Sequence, residues 1–221
     1  MNKKLLIPVV LCIFVLSSCS LIDKLGFDTY DYMGEKVTGT HDTNGECAEM
    51  IAGILDVLIT DKTSLPTFDK MGDAINEYRD AVLMYMLKEG YAKYSGNTEL
   101  IAKAEAAYPE YTISQIIPVS EFEATMYRYF GGNVKITHKD GERFKYLPKV
   151  SAYISPAVTE SAELAPEITE IYETEKTYRV RFRVLSTTPG SASSEEYFAL
   201  IIKRDDGTLY FKKLLLSADV K

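Results

Sequence analysis

The chain has 221 residues, a formal net charge of −7 and an isoelectric point near 5.0. This length is enough for one domain with a substantial core, or for two small domains at most. A protein that binds nucleic acid needs clustered cations to neutralise phosphates, so the acidic balance argues against nucleic acid as a partner.

The first eighteen residues have the pattern of a secretory signal peptide. Lys3 and Lys4 precede an apolar run over residues 5–16, and small polar residues follow that run. The run is shorter than the roughly 18 to 20 residues that span a bilayer, and Pro8 interrupts it. Residues 1–18 are therefore predicted to be a signal peptide that is removed from the mature protein.

The predicted cleavage site ends in a cysteine. Leu16-Ser17-Ser18-Cys19 resembles the lipobox of bacterial lipoproteins, in which leucine lies three positions before the cysteine and small residues lie between. The resemblance implies diacylglycerol on the Cys19 sulfur and a mature chain anchored to the cell membrane on its extracytoplasmic face. Cys12 lies in the signal peptide and Cys19 carries the lipid, so Cys47 is the one remaining cysteine. An intramolecular disulfide is therefore not expected.

Residues 19–44 are predicted to be the lipidated N-terminus and a tether. They are rich in Asp, Gly and Thr and show no sustained apolar period. A flexible coil of this length separates its ends by roughly 25 to 30 Å. The segment also carries more apolar residues than a pure linker needs, which indicates contact with the domain or with lipid headgroups. These apolar residues are Leu21, Ile22, Leu25, Phe27, Tyr30 and Tyr32.

Residues 45–217 are predicted to form one folded domain, whose first helix begins near Glu46. Thr43 and Glu46 have the spacing of a capping box, and the apolar positions that follow recur with a helical period. Cys47 belongs to this apolar stripe, which favours a buried, inert thiol over a redox-active one. The polar residues from Asp42 onward lack the closing glutamate of an EF-hand, so helix capping is favoured over calcium binding.

Three further helices are predicted before the apolar period changes. The last of them follows Pro118 and carries a second capping box, from Ser120 to Glu123. Its inner face is predicted to consist of Phe122, Met126 and Phe130. The three predicted helices cover residues 67–94, 99–107 and 120–130.

Beyond Asn133 the apolar period changes from near four to two, which indicates β-strands. The pair Asp140-Gly141 predicts a hairpin turn between residues 134–138 and 143–146. Further strands are predicted at residues 152–154, 168–174, 178–185, 197–204 and 209–216.

Helices followed by an antiparallel meander are typical of an α+β domain whose N-terminal helices pack on one face of a C-terminal sheet. The strand at residues 197–204 is apolar on both sides over its first half, so it is predicted to lie inside the sheet. This order of elements resembles the NTF2-like and cystatin-like superfolds over residues 45–217. The resemblance implies a curved sheet that wraps a helix and leaves a cone-shaped cavity.

Arg179, Arg181 and Arg183 alternate with apolar residues along one predicted strand. One interpretation is a solvated face whose cations pair across strands with glutamates such as Glu170 or Glu173. The other is a site for an anionic ligand, such as a phosphate-bearing wall polymer or lipid headgroups. The three arginines are therefore candidate ligand-binding residues.

His138 is a candidate for proton transfer, since a neighbouring carboxylate could assist it. Zinc sites need three or four ligands at defined spacings, and the sequence has no such pattern, so neither a metal nor a cofactor is predicted. A group of tyrosines lies near the helix-to-sheet junction and consists of Tyr127, Tyr129, Tyr146 and Tyr153. Their rings either pack in the core or stack on a sugar, and Tyr127 and Tyr146 are the candidate ligand-binding residues.

Three functions follow from these patterns. The favoured one is a non-catalytic lipoprotein domain of the cell envelope that binds a small ligand, a wall component or another envelope protein. The second is an NTF2-like enzyme, which requires a carboxylate or His138 in an apolar pocket with a perturbed pKa. The third is assembly with a partner, which requires an exposed apolar patch of several hundred Å².

Overall fold

The computed structural model describes residues 36–60, 64–132, 135–155, 164–186 and 195–220. The predicted signal peptide, the lipobox and most of the predicted tether lie outside these described residues. The described part of the chain is α+β, as predicted, with five α-helices and two antiparallel sheets.

The helices lie in the first half of the chain and the long strands in the second half. The helices are α1 (Glu46–Leu55), α2 (Met71–Glu77), α3 (Arg79–Ser95), α4 (Thr98–Ala107) and α5 (Val119–Phe130). The strands are β1 (Gly39–Thr40), β2 (Ile116–Pro118), β3 (Lys145–Leu147), β4 (Ala152–Ile154), β5 (Leu164–Glu173), β6 (Thr177–Ser186), β7 (Glu196–Lys203) and β8 (Leu209–Leu216). In the described part of the chain, every helix is too short or too polar to cross a bilayer.

The larger sheet has the strand order β1-β5-β6-β7-β8, and all neighbouring strands are antiparallel. Three of its four long strands, β6, β7 and β8, lie where the alternating pattern predicts them, whereas β5 begins at Leu164, before the predicted start at residue 168. β7 is an interior strand, as predicted. Short segments cover both edges, because β1 pairs with β5 and Phe68 forms a bridge with Leu214 of β8. Covered edges protect the sheet from pairing with other chains.

One face of this sheet, the inner face, packs against α1 and α5. Ile51 of α1 and Ile171 of β5 are buried in the same hydrophobic cluster, and the Phe130 ring of α5 lies 5.9 Å from the Phe211 ring of β8. The opposite face, called the outer face, carries the predicted arginine stripe of β6. The residues predicted to form the inner face of α5 are all fully buried: Phe122, Met126 and Phe130.

Neither predicted capping box is formed. No side chain caps α1, which begins after Gly45, or α5, which begins after Pro118. In α5 the cause is β2, which leads directly into the helix. The Val119 amide donates to the Ser151 carbonyl oxygen at 2.9 Å, so strand pairing continues up to the helix start. Ser120 therefore lies inside the first helical turn and not at the cap.

The predicted helix over residues 67–94 is divided in the structure. α2 ends at Glu77, and Tyr78, with a ψ of 12°, turns the chain before α3 begins. The Tyr78 side chain is 1% exposed, and its hydroxyl donates to the Pro66 carbonyl oxygen at 2.6 Å, so burial of this ring holds the break in place. Gly90, with φ −122° and ψ 28°, then produces a kink inside α3.

The predicted hairpin around Asp140-Gly141 is wrong. Residues 135–140 form no strand, and Asp140 accepts hydrogen bonds from the Tyr146 amide at 3.0 Å and the Lys145 ammonium at 2.9 Å. These local bonds compete with a hairpin ladder. β3 instead pairs with β4, the predicted short strand, and β2 pairs with the other side of β4.

Candidate functional site

The three arginines of the predicted stripe have different surroundings. Arg179 is 1% exposed, and this burial lowers the pKa of its guanidinium. A nitrogen of Arg181 lies 3.3 Å from a Glu170 oxygen, and a nitrogen of Arg183 lies 3.7 Å from a Glu196 oxygen. The cross-strand pairing expected of a solvated face is thus present for Arg181 and Arg183, whereas Arg179 is buried and does not belong to a solvated stripe.

His138 lies between a carboxylate and a phenol. Its Nε2 atom is 3.0 Å from Glu123 Oε1 on α5, and its Nδ1 atom is 3.0 Å from the Tyr153 hydroxyl on β4. With the proton on Nε2, the ring donates to the carboxylate and accepts from the phenol. The His138 side chain is 17% exposed and the Glu123 side chain 35%, so the pair lies at the edge of the core.

Aromatic rings enclose the imidazole of His138. Tyr146 of β3 lies opposite Tyr153 of β4, and the centroids of these rings are 5.4 and 5.9 Å from the imidazole centroid. The Phe122 ring approaches at 6.3 Å. Burial raises the pKa of Tyr153 to about 12, although the Arg79 guanidinium acts in the opposite direction. Tyr153 is therefore a neutral hydrogen-bond donor at physiological pH.

This arrangement has the components of acid–base chemistry, because an imidazole between a carboxylate and a phenol can accept or release a proton. Both ring nitrogens of His138 are engaged, and His138 lines neither of the two clefts described below. A substrate would have to displace Glu123 or Tyr153 to reach the ring. The geometry therefore serves best as a hydrogen-bonded link between α5 and the three-stranded sheet.

A cleft of about 220 Å³ lies between α3 and α5, and we call it the α3–α5 cleft. The kink at Gly90 helps to shape it. A Cβ atom at Gly90 would lie 2.7 Å from Cε2 of Tyr94, so glycine lets this ring lie close to the helix. The polar and aromatic residues that define the cleft are Tyr85, Glu89, Tyr94, Thr125, Arg128 and Tyr129.

Two charged side chains flank the tyrosines of the α3–α5 cleft. The Arg128 guanidinium lies 5.3 Å from the centroid of the Tyr129 ring, within cation–π range. The Tyr129 hydroxyl is 3.0 Å from the Tyr85 hydroxyl. Burial and this hydrogen bond raise the pKa of Tyr85 above its usual range, with Glu89 adding to the shift and Arg128 opposing it. The cleft thus combines neutral phenols with one cation and one anion.

Tyr94, which lines the cleft, is held in place by a contact with Glu121. The Tyr94 hydroxyl donates to Glu121 Oε2 at 3.0 Å, and Lys93 pairs with the same carboxylate oxygen. Burial, followed by this hydrogen bond, raises the pKa of Tyr94 above its usual range. The ring is therefore fixed in orientation, and it lines the cleft although it is only 6% exposed.

A second cleft, of about 50 Å³, lies between α3 and the segment that precedes β3. Tyr78, Asp80 and Arg143 contribute to its lining. The Arg143 amide donates to Asp80 Oδ2 at 3.0 Å across it. This volume is sufficient for a few water molecules.

The structure brings together only part of the predicted site. His138 and Tyr146 are neighbours, but Tyr127 lies apart from them, and its carbonyl oxygen accepts a hydrogen bond from Arg204 at 3.0 Å. Of the residues that line the α3–α5 cleft, Tyr129 belongs to the predicted group of tyrosines, whereas Tyr85, Glu89 and Arg128 were not predicted as site residues. The available signal was Gly90, a glycine inside a long helical pattern with tyrosines on both sides of it.

No group of three or more His, Cys, Asp or Glu side chains is placed to hold a metal ion among the residues that the structure describes. Comparisons of this chain with protein-family models, with curated proteins and with solved structures found no match.

Proposed function

We propose that this chain is a lipoprotein anchored through Cys19 to the extracytoplasmic face of the cell membrane. Its folded part is a non-catalytic binding domain of the cell envelope. The Leu16-Ser17-Ser18-Cys19 sequence supports the anchor. The α3–α5 cleft is the observation that carries the binding function, because aromatic and charged side chains line one concave site.

The size and lining of the cleft favour a ring-sized polar group as its ligand. Pockets for drug-sized ligands have volumes of about 300 to 1,000 Å³, whereas this cleft has about 220 Å³. Tyrosine rings offer flat apolar faces with a polar tip. Arg128 and Glu89 can orient hydroxyl, carboxylate or amine groups. A sugar unit of the wall glycan meets these requirements and is the ligand class that we propose.

The test uses the chain that begins at residue 20. A soluble disaccharide fragment of wall glycan is titrated into this protein, and binding is measured by calorimetry. Tyr129→Leu keeps an apolar side chain at this position but removes the phenol and its contact with Arg128. We therefore expect the affinity for the disaccharide to fall at least tenfold. The matched control is Tyr91→Leu, because Tyr91 lies on α3, one of the two helices that form the cleft, but is 62% exposed and does not line the cleft. Equal affinity of the Tyr129→Leu chain, or no binding by the unsubstituted chain, would refute the proposal.

For the fold, we propose a distant NTF2-like or cystatin-like arrangement. The support is the order of elements, with helices first and a four-stranded antiparallel meander, β5 to β8, at the end. α5 packs against β8 on the inner face, which is the position that a wrapped helix would occupy. The separate sheet β2-β4-β3 would then be an addition to this arrangement.

An NTF2-like enzyme is the second candidate, and the contacts of His138 with Glu123 and Tyr153 favour it. In such an enzyme His138 would act as the acid or base after Glu123 or Tyr153 moves away from it. A proton-transfer activity that is abolished by His138→Gln but survives Tyr129→Leu would replace the binding function with this one.

A further inference from the structure

The outer face of the five-stranded sheet is buried at its centre. Arg179 of β6 is 1% exposed, and Phe198 and Leu200 of β7 are 3% and 5% exposed. In the register of the sheet Arg179 lies opposite Leu200, with Phe198 two residues further along β7, so the three form one contiguous patch. The helices α1 and α5 do not account for this burial, because they pack on the inner face, and the short 3-10 helix Ser217–Asp219 contacts β7 after the end of β8. Phe198 and Leu200 also belong to neither hydrophobic cluster of the described residues.

We propose that residues 20–35 of the same chain dock on the outer face and cover this patch. The position at which the described chain begins supports this. The Thr38 amide donates to the Glu173 carbonyl oxygen at 2.8 Å, and Gly39 pairs with Glu173 at the last residue of β5. Because β1 is antiparallel to β5, the residues before Thr38 reach the turn that leads into β6. Arg179 lies two residues beyond the first residue of β6.

The length of residues 20–35 is sufficient for this role. An extended chain spans about 3.3 Å per residue, so the segment reaches about 50 Å. Five strands spaced about 4.8 Å apart give a sheet about 20 Å wide. The β1 end is also firmly attached, because His41 Nε2 lies 2.7 Å from Glu173 Oε2 and Lys203 Nζ lies 2.8 Å from the other oxygen. The segment therefore starts from a fixed point beside the patch.

The chemistry of the segment complements that of the face. On the outer face, Arg179 lies between Tyr172 and apolar Leu200 in the strand register. The other cations of this face, Arg181, Arg183 and Lys213, pair with carboxylates of Glu170, Glu196 and Asp69. Four acidic residues against one lysine make the segment anionic, and its apolar residues provide a surface for Phe198 and Leu200. The acidic residues of the segment are Asp23, Asp28, Asp31 and Glu35.

Two other stretches outside the described residues fit less well. Residues 156–163 and 187–194 join β5 and β6 at Leu164 and Ser186, which pair at the far end of these strands from Arg179. Residues 187–194 also contain no charged residue and no large apolar one. A second copy of the chain on the outer face is the remaining occupant, and the experiment below distinguishes it.

The first experiment places the photoreactive residue benzoylphenylalanine at Leu215 in the chain that begins at residue 20. Leu215 is half-buried and lies opposite Phe198 on the outer face. The control carries the same residue at Tyr91, which is 62% exposed on α3. We expect light to join position 215 to residues 20–35 within one chain, and the control to give no such product. A link between two chains, or no link to residues 20–35, overturns the proposal.

The second experiment compares chains that begin at residue 20 and at residue 36. We expect the shorter chain to bind the hydrophobic dye ANS more strongly and to exchange the amides of β7 at least tenfold faster. A synthetic peptide of residues 20–35 should reverse both changes, and the same peptide with Asp28→Lys and Asp31→Lys should not. Equal dye binding and equal exchange in the two chains overturn the proposal. If the shorter chain fails to fold, the crosslink in the longer chain decides.

Discussion

His41 Nε2 lies 2.7 Å from Glu173 Oε2, and this contact joins the segment before α1 to the end of β5. Lys203 of β7 binds the other Glu173 oxygen at 2.8 Å, so one carboxylate connects the ends of β1, β5 and β7 at one end of the sheet. The hydrogen bond from Lys203, followed by that from His41, lowers the pKa of Glu173, while burial opposes the shift.

Glu173→Gln is therefore expected to destabilise the protein by about 1 kcal/mol at pH 7. Because the pKa of Glu173 is lower in the folded state, its contribution is fully present above its unfolded value of about 4.3. It is lost as pH falls through the lowered folded value. Urea unfolding between pH 3 and 7 should show that the difference in free energy of unfolding between native and variant chains decreases as the pH falls. Glu175→Gln, in the exposed turn nearby, should cause no such loss; a pH-independent difference would contradict the mechanism.

The Phe130 ring connects α5 to the rest of the core. It is fully buried, and the rings of Phe68, Tyr78 and Phe211 lie 5.8 to 5.9 Å from it. Phe130→Ala should lower the free energy of unfolding by about 3 to 5 kcal/mol, because it removes apolar contacts and leaves a cavity. Leu185→Ala, at a position 39% exposed, should change it by about 0.5 kcal/mol or less. A loss below about 1 kcal/mol for Phe130→Ala would mean that this cluster is not central to the core.

The sheet could be predicted from the sequence because its signal is local. Along β6, Val180, Phe182 and Val184 alternate with arginines, and a two-residue period is sufficient to place a strand and its inner face. Burial of Arg179 could not be predicted in this way, because the alternating pattern does not show what covers the outer face.

The α3–α5 cleft could not be predicted because tertiary contacts create it. Tyr78 has ordinary helical periodicity, and only its burial and its bond to the Pro66 carbonyl oxygen reveal the break between α2 and α3. The cleft then depends on how the kink at Gly90 meets Tyr129 from α5, a residue far along the chain. His138 was identified as a candidate by residue type alone, and its partners were not.

Tyr153→Phe tests the link made by His138. Loss of the hydroxyl leaves His138 Nδ1 without its donor, which should cost about 1 kcal/mol at pH 7. Burial raises the pKa of Tyr153 to about 12 in the folded state, against about 10 when unfolded. The contribution is therefore complete below pH 10 and is lost as pH rises toward 12. Urea unfolding from pH 7 to 11 should show native and variant chains converging in alkali. For the exposed control, Tyr91→Phe, the free energy of unfolding should differ from that of the native chain by the same amount at every pH. The same pH-independent difference for Tyr153→Phe would contradict the role assigned to the Tyr153 hydroxyl.

Cys19→Ala tests the anchor separately from the domain. The lipobox resemblance places the lipid on the Cys19 sulfur, so removal of this sulfur should move the protein from the membrane fraction to the soluble fraction. Thermal unfolding should remain within about 2 °C of that of the native chain, because the described core begins only at α1. Cys47→Ala is the matched control: Cys47 packs against the core from α1 and should not alter membrane attachment. Retention of the Cys19→Ala protein in membranes, or a native amino terminus that mass spectrometry shows to be uncleaved and without lipid, would refute the anchor and leave the binding domain to be explained without it.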